Sequence, residues 1–185
     1  MVNANTLKKG NVINRNGELC QVMDLQHVKP GKGPAYLQTS LRNFRTGRSF
    51  QVRFGTSDSI DIVVMVRRQL QYSYFNGDSF VFIDPESFEQ YYLGVELIGQ
   101  AKDYLVEGSE YEILFFEENP IQIELPSSVS LKVIEAPNWV KGDSATNVRK
   151  PVVLETGLTL NVPLFIEQGE KIKVDTRTCE YLGRI

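Results

Sequence analysis

The sequence predicts an all-β protein built from several small barrels or sandwiches, and three observations support this prediction. Apolar and polar residues alternate along many short segments, as they do in antiparallel strands with one buried face. Turn dipeptides that contain glycine recur between these segments. The 185 residues are 42% hydrophobic and 23% charged, which suffices for folded cores and excludes disordered, collagen-like and coiled-coil chains.

Strand and turn signals alternate along the whole chain. The segments with the clearest period of two are residues 22–25, 37–41, 121–125, 129–133 and 171–175. The turn signals are Asn16-Gly17, Pro30-Gly31, Thr46-Gly47, Asn76-Gly77, Glu107-Gly108, Thr156-Gly157 and Gln168-Gly169. One segment differs, because Val95, Ile98, Ala101 and Leu105 share a helical face. We therefore expect one short helix over residues 95–105, although Gly99 weakens it.

Charge divides the chain into three stretches of similar length. Residues 1–65 carry nine Lys and Arg against four Asp and Glu, a net charge of +5. Residues 66–128 carry three against twelve, a net of −9, and residues 129–185 carry eight against seven, a net of +1. Because Pro126-Ser127-Ser128 also marks a boundary, we predict three modules with these limits. Such a distribution argues against binding nucleic acid along the whole length, but the basic first module can hold it at one end.

Several classes of protein are disfavoured by what the sequence lacks. The longest apolar run is the five residues 62–66, against about 20 for a membrane helix, and no secretory signal is present. We therefore expect a cytoplasmic protein without membrane contact. Cys20 and Cys179 are expected to be reduced core or strand residues, and with a single histidine they leave too few ligands for a typical zinc site. No metal or cofactor is expected.

The most distinctive segment is Lys29-Pro30-Gly31-Lys32-Gly33-Pro34, between two predicted strands. Pro30 presets φ for a type II turn and Gly31 is expected to supply the positive φ that follows. Lys32 would then stand at a hairpin tip between two residues without side-chain bulk. A compact cation of this kind can bind phosphate and ribose oxygens in a crowded RNA site. The alternative is an exposed loop lysine that has no specific function. The spacing does not fit a phosphate-binding P-loop.

Motifs spread over essentially the whole chain resemble bacterial translation elongation factor P. In chain order these motifs are Asp24-Leu25-Gln26-His27-Val28-Lys29-Pro30-Gly31-Lys32-Gly33, Ser40-Leu41-Arg42-Asn43, Thr46-Gly47, Tyr74-Phe75-Asn76-Gly77-Asp78, Phe82-Ile83-Asp84-Pro85-Glu86-Ser87-Phe88-Glu89-Gln90, Lys141-Gly142-Asp143-Ser144-Ala145, Lys150-Pro151-Val152, Val162-Pro163 and Lys173-Val174-Asp175-Thr176-Arg177-Thr178. The chain departs from the family pattern at four positions of the third module, which are Trp139, Ser144, Val152 and Cys179.

This resemblance implies an SH3-like N-terminal barrel followed by two OB-type barrels in an L-shaped, tRNA-like arrangement. It implies a factor that binds the 70S ribosome between the peptidyl-tRNA and exit sites and promotes peptide-bond formation at consecutive prolines. The implied partners are the ribosome, peptidyl-tRNA, the mRNA codon in the exit site and an enzyme that modifies Lys32. We expect a monomer that is not itself an enzyme.

The resemblance also assigns residues to these contacts. Lys32 is the functional tip and modification site, and no residue is expected to be catalytic. The residues expected to contact tRNA or the ribosome are Lys29, Pro30, Gly31, Lys32, Gly33, Arg42, Tyr181 and Arg184. The loop of Gly142, Asp143 and Ser144 is expected to approach the exit-site codon.

Two other functional classes are compatible with the residues. A paralogue that binds single-stranded RNA for a specialised set of messages would use aromatic side chains such as Tyr72, Tyr74, Phe80 and Phe82 as a stacking platform. Their alternation and the acidic charge around them favour a role in a barrel core instead. A free-standing enzyme is disfavoured, because no nucleophile motif is present and His27 has only Cys20 as a coincidental neighbour in sequence.

Overall fold

A computed structural model describes residues 1–138 and 148–185 of the chain. These residues form three antiparallel sheets, one α-helical turn and two short 3-10 helices, so the prediction of an all-β protein is confirmed. None of the helices in the described residues is long and apolar enough to cross a membrane.

The first sheet has six strands in the order β1-β6-β2-β3-β4-β5. Its strands are β1 (Val2–Asn3), β2 (Val12–Arg15), β3 (Glu18–Val28), β4 (Tyr36–Asn43), β5 (Ser49–Gly55) and β6 (Ser59–Val63). The predicted Asn16-Gly17 turn joins β2 to β3, and both residues have positive φ. Two positive φ values in succession give the turn twist that matches a hairpin, which explains the preference for Asn-Gly.

The second sheet has five strands in the order β11-β10-β7-β8-β9. Its strands are β7 (Val66–Phe75), β8 (Ser79–Ile83), β9 (Gln90–Gly94), β10 (Glu110–Phe116) and β11 (Asn119–Glu124). Aromatic side chains fill its interior, where Tyr72 and Phe82 have ring centroids 5.3 Å apart and Phe82 meets Tyr111 edge to face at 6.3 Å. Pairs of this geometry add to the free energy gained by burying the rings.

The third sheet also has five strands, in the order β14-β13-β12-β15-β16. Its strands are β12 (Ser128–Glu135), β13 (Arg149–Leu154), β14 (Thr159–Pro163), β15 (Lys171–Asp175) and β16 (Tyr181–Arg184). The predicted alternation is observed on β12, where Val129, Leu131 and Val133 are buried and the residues between them are not. These apolar residues build the core of the third sheet.

The predicted helix over residues 95–105 is shorter than expected. An α-helical turn spans Val95–Ile98, and a 3-10 helix spans Gly99–Tyr104. Gly99 has a φ of +52°, which a continuous right-handed helix does not permit, so the helix ends there. The apolar face is buried at Ile98, Ala101 and Leu105, whereas Val95 is exposed.

Tyr104, at the end of this 3-10 helix, belongs to the core of the third sheet. Its ring is buried together with Leu131, Val133 and Ile172. Burial and a hydrogen bond with Cys179 raise the pKa of Tyr104. The Tyr111 hydroxyl, in turn, donates to the Tyr104 carbonyl at 2.9 Å. The middle segment of the chain and the third sheet therefore share a core.

Candidate functional site

The candidate site begins at the hairpin formed by β3 and β4. The two strands pair up to Val28 and Tyr36, and the seven residues 29–35 between them form the segment that we call the tip loop. Lys32 lies at its centre with an exposed side chain. It forms no hydrogen bond or ion pair with any residue that the structure describes. The predicted placement of a lysine at the end of a slender hairpin is therefore observed.

The backbone of the tip loop differs from the predicted type II turn. Gly31 does not have positive φ, whereas Gly33 has a φ of +108°. The expectation that Gly31 supplies the left-handed residue is wrong, because the sequence pattern does not show which of two nearby glycines takes that conformation. A Cβ added at Gly33 would lie 4.0 Å from Cγ of Pro30, so the backbone angle and not space requires glycine there.

Other cations lie near the base of the tip loop or further along its strands. Lys29 is exposed at the start of the loop, and Arg42 is exposed on β4 opposite Gln21 and Ser49. Arg53, on β5, holds its guanidinium 5.0 Å from the centre of the Tyr36 ring. Sequence reasoning did not single out Arg53 or Tyr36, since their contact depends on the register between β4 and β5. The alternation that places Tyr36 and Arg42 on the same face of β4 is the one signal that was available.

The two predicted C-terminal residues lie together on β16 but differ in exposure. Tyr181 is half-buried and packs against the core of the third sheet. Arg184 is exposed, and its Nη1 donates to Oε1 of Glu170 at 3.1 Å. The other carboxylate oxygen of Glu170 accepts the backbone N–H of Glu167 at 2.9 Å. This backbone hydrogen bond and the Arg184 guanidinium lower the pKa of Glu170.

The residues predicted to contact RNA fall in different parts of the chain. Lys32 lies in the compact unit formed by Met1–Arg68 with Leu114–Gln122, and the pair on β16 lies in the unit formed by Gln69–Ile113 with Ile123–Ile185. Gly142, Asp143, Ser144 and Trp139 lie outside the described residues. Just after that segment, Lys150 is buried and donates from Nζ to the Pro137 carbonyl at 3.0 Å.

The aromatic residues considered as a stacking platform mostly form core. Tyr72, Phe80 and Phe82 are buried, as their alternation predicts, while Tyr74 is 44% exposed. Tyr92, on β9, is also exposed. Val81 of β8 pairs with Tyr74 of β7 on one side and with Tyr92 on the other. An exposed pair of rings therefore remains, but not the four-ring platform.

The two cysteines are free thiols and offer no further site of chemistry among the described residues. Cys20 is a free thiol buried in β3, and burial raises its pKa. Cys179 is free, half-buried and in the left-handed region with a φ of +56°. Within residues 1–138 and 148–185, no group of three or more His, Cys, Asp and Glu side chains is arranged to hold a metal ion.

Comparison with known families covers the same three regions as the sheets. A family model of the elongation factor P (EF-P) KOW-like domain matches residues 3–60, one of the EF-P OB domain matches residues 65–123, and one of the elongation factor P C-terminal region matches residues 129–184. These matches agree with the predicted succession of an SH3-like domain and OB-type domains.

Curated relatives and solved structures agree with the family models. Proteins named elongation factor P from Acidothermus cellulolyticus and from Exiguobacterium sp. are 44% and 45% identical to this chain, over all of it and 98% of each relative. The solved structure of eukaryotic translation initiation factor 5A from Methanococcus jannaschii is similar with a TM-score of 0.52 and 25% identity, over 66% of this chain and 94% of that one. On this evidence, the chain belongs to the elongation factor P family of translation factors.

Proposed function

We propose that this protein binds the ribosome between the peptidyl-tRNA and exit sites and promotes peptide-bond formation where consecutive prolines stall synthesis. The observation that carries the proposal is Lys32, an exposed ammonium at the end of a hairpin loop without an ion pair to any described residue. The family of the chain supports a role in translation elongation. The ribosomal site, the proline stall and the role of the tip are inferences from the resemblance.

The proposed mechanism is positioning, and the ribosome itself performs the chemistry. Proline is a poor reactant because its ring fixes φ and its amine is secondary, so misplaced reactants limit the step. Lys32, free or extended by a lysine-modifying enzyme, would contact the terminal backbone of peptidyl-tRNA and favour the reactive geometry. Lys29, Pro30, Gly31 and Gly33 would shape and orient the loop that carries it.

The other predicted residues would hold the factor in place. Arg42 on the first sheet and the pair Tyr181 and Arg184 on the third would contact tRNA or ribosomal RNA, and Gly142, Asp143 and Ser144 would contact the exit-site codon. The functional modules would be residues 1–65, 66–128 and 129–185. The net charge of +5 in the first and −9 in the second would direct the basic end toward RNA. We further propose that the protein acts as a cytoplasmic monomer.

The decisive test is the synthesis of a Pro-Pro-Pro peptide in a reconstituted translation system. Protein from the native host is compared with Lys32→Ala and with Lys9→Ala, which removes an exposed lysine of the same module far from the tip loop in sequence. We expect the native protein and Lys9→Ala to relieve the stall and Lys32→Ala to fail. If Lys32→Ala relieves the stall as well as the native protein does, the proposal is wrong. Intact-mass analysis of the native protein shows whether Lys32 is extended.

One observation supports binding of single-stranded RNA as an alternative function. Tyr74 and Tyr92 expose their rings on one face of the second sheet, and exposed rings can stack on unpaired bases. A general single-stranded RNA binder should bind bare RNA with a steep salt dependence, whereas a factor specific for the ribosome should not. Titration of bare RNA with the native protein and with Tyr74→Leu separates the two functions.

A further inference from the structure

A network of side chains on the exposed side of the first sheet connects β4 and β5 next to the tip loop. We define the outer face as Tyr36, Gln38, Ser40 and Arg42 of β4 with Gln51 and Arg53 of β5. Within it, Gln38 donates from Nε2 to Oε1 of Gln51 at 3.0 Å. Arg53 donates from Nε to Oε1 of Gln38 at 3.0 Å and places its guanidinium over the Tyr36 ring at 5.0 Å. The network therefore ends on the Tyr36 ring.

Tyr36 occupies the position where the tip loop joins the sheet. It is the first residue of β4, directly after the loop, and it pairs with Val28 on one side and Gly55 on the other. Gly55 has no side chain to hold the Tyr36 ring from the neighbouring strand. Arg53 supplies that contact from two residues earlier on the same face of β5.

The outer half of the hairpin depends on β5 for support. Strand β2 pairs with β3 from Glu18 to Gln21, so its pairing stops well before the end of β3 at Val28. Strand β5, in contrast, pairs with β4 as far as Tyr36. On the buried side of the same strands, the Thr39 hydroxyl donates to the Val52 carbonyl at 2.9 Å. Side-chain contacts between β4 and β5 are thus found on both faces of the arm that carries Lys32.

We propose that Arg53 is a positioning residue for Lys32. It fixes the Tyr36 ring and thereby the angle at which the tip loop leaves the sheet; this inference rests on the function proposed above. The planar guanidinium is suited to the task because it can stack on a ring while Nε donates in its own plane to Gln38. A lysine would keep the charge at this position but would lose the planar stacking and the Nε donor.

The test is to measure the Pro-Pro-Pro synthesis rate as a function of factor concentration for Arg53→Met. A positioning role predicts that the rate at saturating factor falls roughly tenfold, because small misplacements of a reacting group slow a reaction strongly. The concentration that gives half of the maximal rate should change less than about twofold, since the binding contacts remain. The matched control is Arg15→Met, which removes an arginine whose guanidinium lies 5.9 Å from the Phe50 ring in the same sheet, and it should behave as the native protein does.

Variants of Tyr36 test whether the two side chains act together. Tyr36→Phe keeps the ring and should keep the native rate, whereas Tyr36→Leu should lose about as much as Arg53→Met. The double variant Arg53→Met with Tyr36→Leu should be no slower than either single variant, because each one already breaks the same contact. If the losses in the double variant multiply instead, the two residues act separately and the inference is wrong.

Amide hydrogen exchange provides a readout that does not depend on translation. In Arg53→Met, the hydrogen-bonded amides at the ends of β3 and β4 next to the tip loop should exchange at least about fivefold faster, with the melting temperature within about 2 °C of the native value. Unchanged exchange at these amides overturns the inference. A change in the half-saturating concentration alone also overturns it, because Arg53 would then contact the ribosome directly. If Lys32→Ala is as active as the native protein, it is the proposed function that fails, and hydrogen exchange still reports on the Arg53 contact.

Discussion

Lys32 and Arg184 are both exposed cations proposed to contact RNA, but the chain holds them in different ways. Arg184 projects from a strand, is paired with Glu170 at 3.1 Å and lies near Tyr181, which packs into a core. Lys32 projects from a seven-residue loop and has no ion pair among the described residues. Local side chains therefore orient Arg184, whereas the position of Lys32 depends on the backbone of its loop and on the strands at its base.

Because of this difference, substitutions in the two regions should affect activity and stability to different extents. A change of the Lys32 side chain removes no contact with the described residues, so it should reduce activity and leave the free energy of unfolding almost unchanged. A change in the C-terminal region removes packing or an ion pair, so it should affect both quantities.

The largest effect is expected from reversing the charge at the tip. Lys32→Glu should lower the Pro-Pro-Pro synthesis rate more than Lys32→Ala, itself expected to cost about 100-fold, because a carboxylate beside phosphates adds repulsion to the loss of a contact. The free energy of unfolding of both variants should stay within about 0.5 kcal/mol of the native value. Rate measurements and urea denaturation check the two statements. Equal rates for Lys32→Glu and Lys32→Ala would show that a carboxylate at the tip meets no repulsion from nearby phosphates.

The next effect concerns the conformation of the loop. Gly33→Ala should strain the loop by about 1–3 kcal/mol, because a residue with a Cβ is disfavoured at a φ of +108°. Gly31→Ala is the matched comparison, since its φ is not positive and an added Cβ meets nothing within 4 Å. Gly33→Ala should therefore slow Pro-Pro-Pro synthesis more than Gly31→Ala does. The opposite order would mean that Gly31 is the residue that needs conformational freedom.

A substitution at Tyr181 should reduce stability as well as activity. The ring is half-buried against the core of the third sheet, so Tyr181→Ala should lower the free energy of unfolding by about 2 kcal/mol. Tyr181→Phe keeps the packed ring and should stay within about 0.5 kcal/mol of the native protein. Denaturation curves of both variants check this prediction. A fully stable Tyr181→Ala would remove the contrast between the two regions.

The smallest effect is a dependence of stability on pH. Because the folded-state pKa of Glu170 is lowered from its ordinary value of 4.5, this carboxylate stabilises the fold above about pH 4.5 and loses that contribution as the pH falls through the folded-state pKa. Glu170→Gln should therefore flatten the fall in unfolding free energy between roughly pH 5 and pH 3. Denaturation at a series of pH values checks the slope. The same slope in both proteins would show that the Glu170 carboxylate does not contribute.

The sequence predicts most of the local structure because period-two alternation and turn residues act over short distances. The hairpin around Lys32 and the Asn16-Gly17 turn are both observed. The sequence shows Gly99 as a weak point of the predicted helix, but it does not show that the chain continues from there as a 3-10 helix. Sequence alone cannot choose between Gly31 and Gly33, since both have the same intrinsic freedom and the surrounding strands decide which one uses it.

Contacts that depend on register could not be predicted. Arg53 meets Tyr36 because β4 and β5 pair with Tyr36 opposite Gly55, and no local pattern specifies that pairing. A bulge in β3 between Val22 and Asp24 also changes which residues face inward. Similarly, Glu170 was not linked to Arg184, because their contact requires β15 and β16 to be aligned.

The position of Tyr104 has a consequence for the order in which the chain folds during synthesis. Its ring completes a core whose other members come mostly from residues that are translated later, including Leu131, Leu154 and Ile172. While these residues are still within the exit tunnel, the middle segment emerges with a large aromatic side chain that has no core to enter. Truncation of the chain before the last sheet should therefore leave the Tyr104 ring without most of its core.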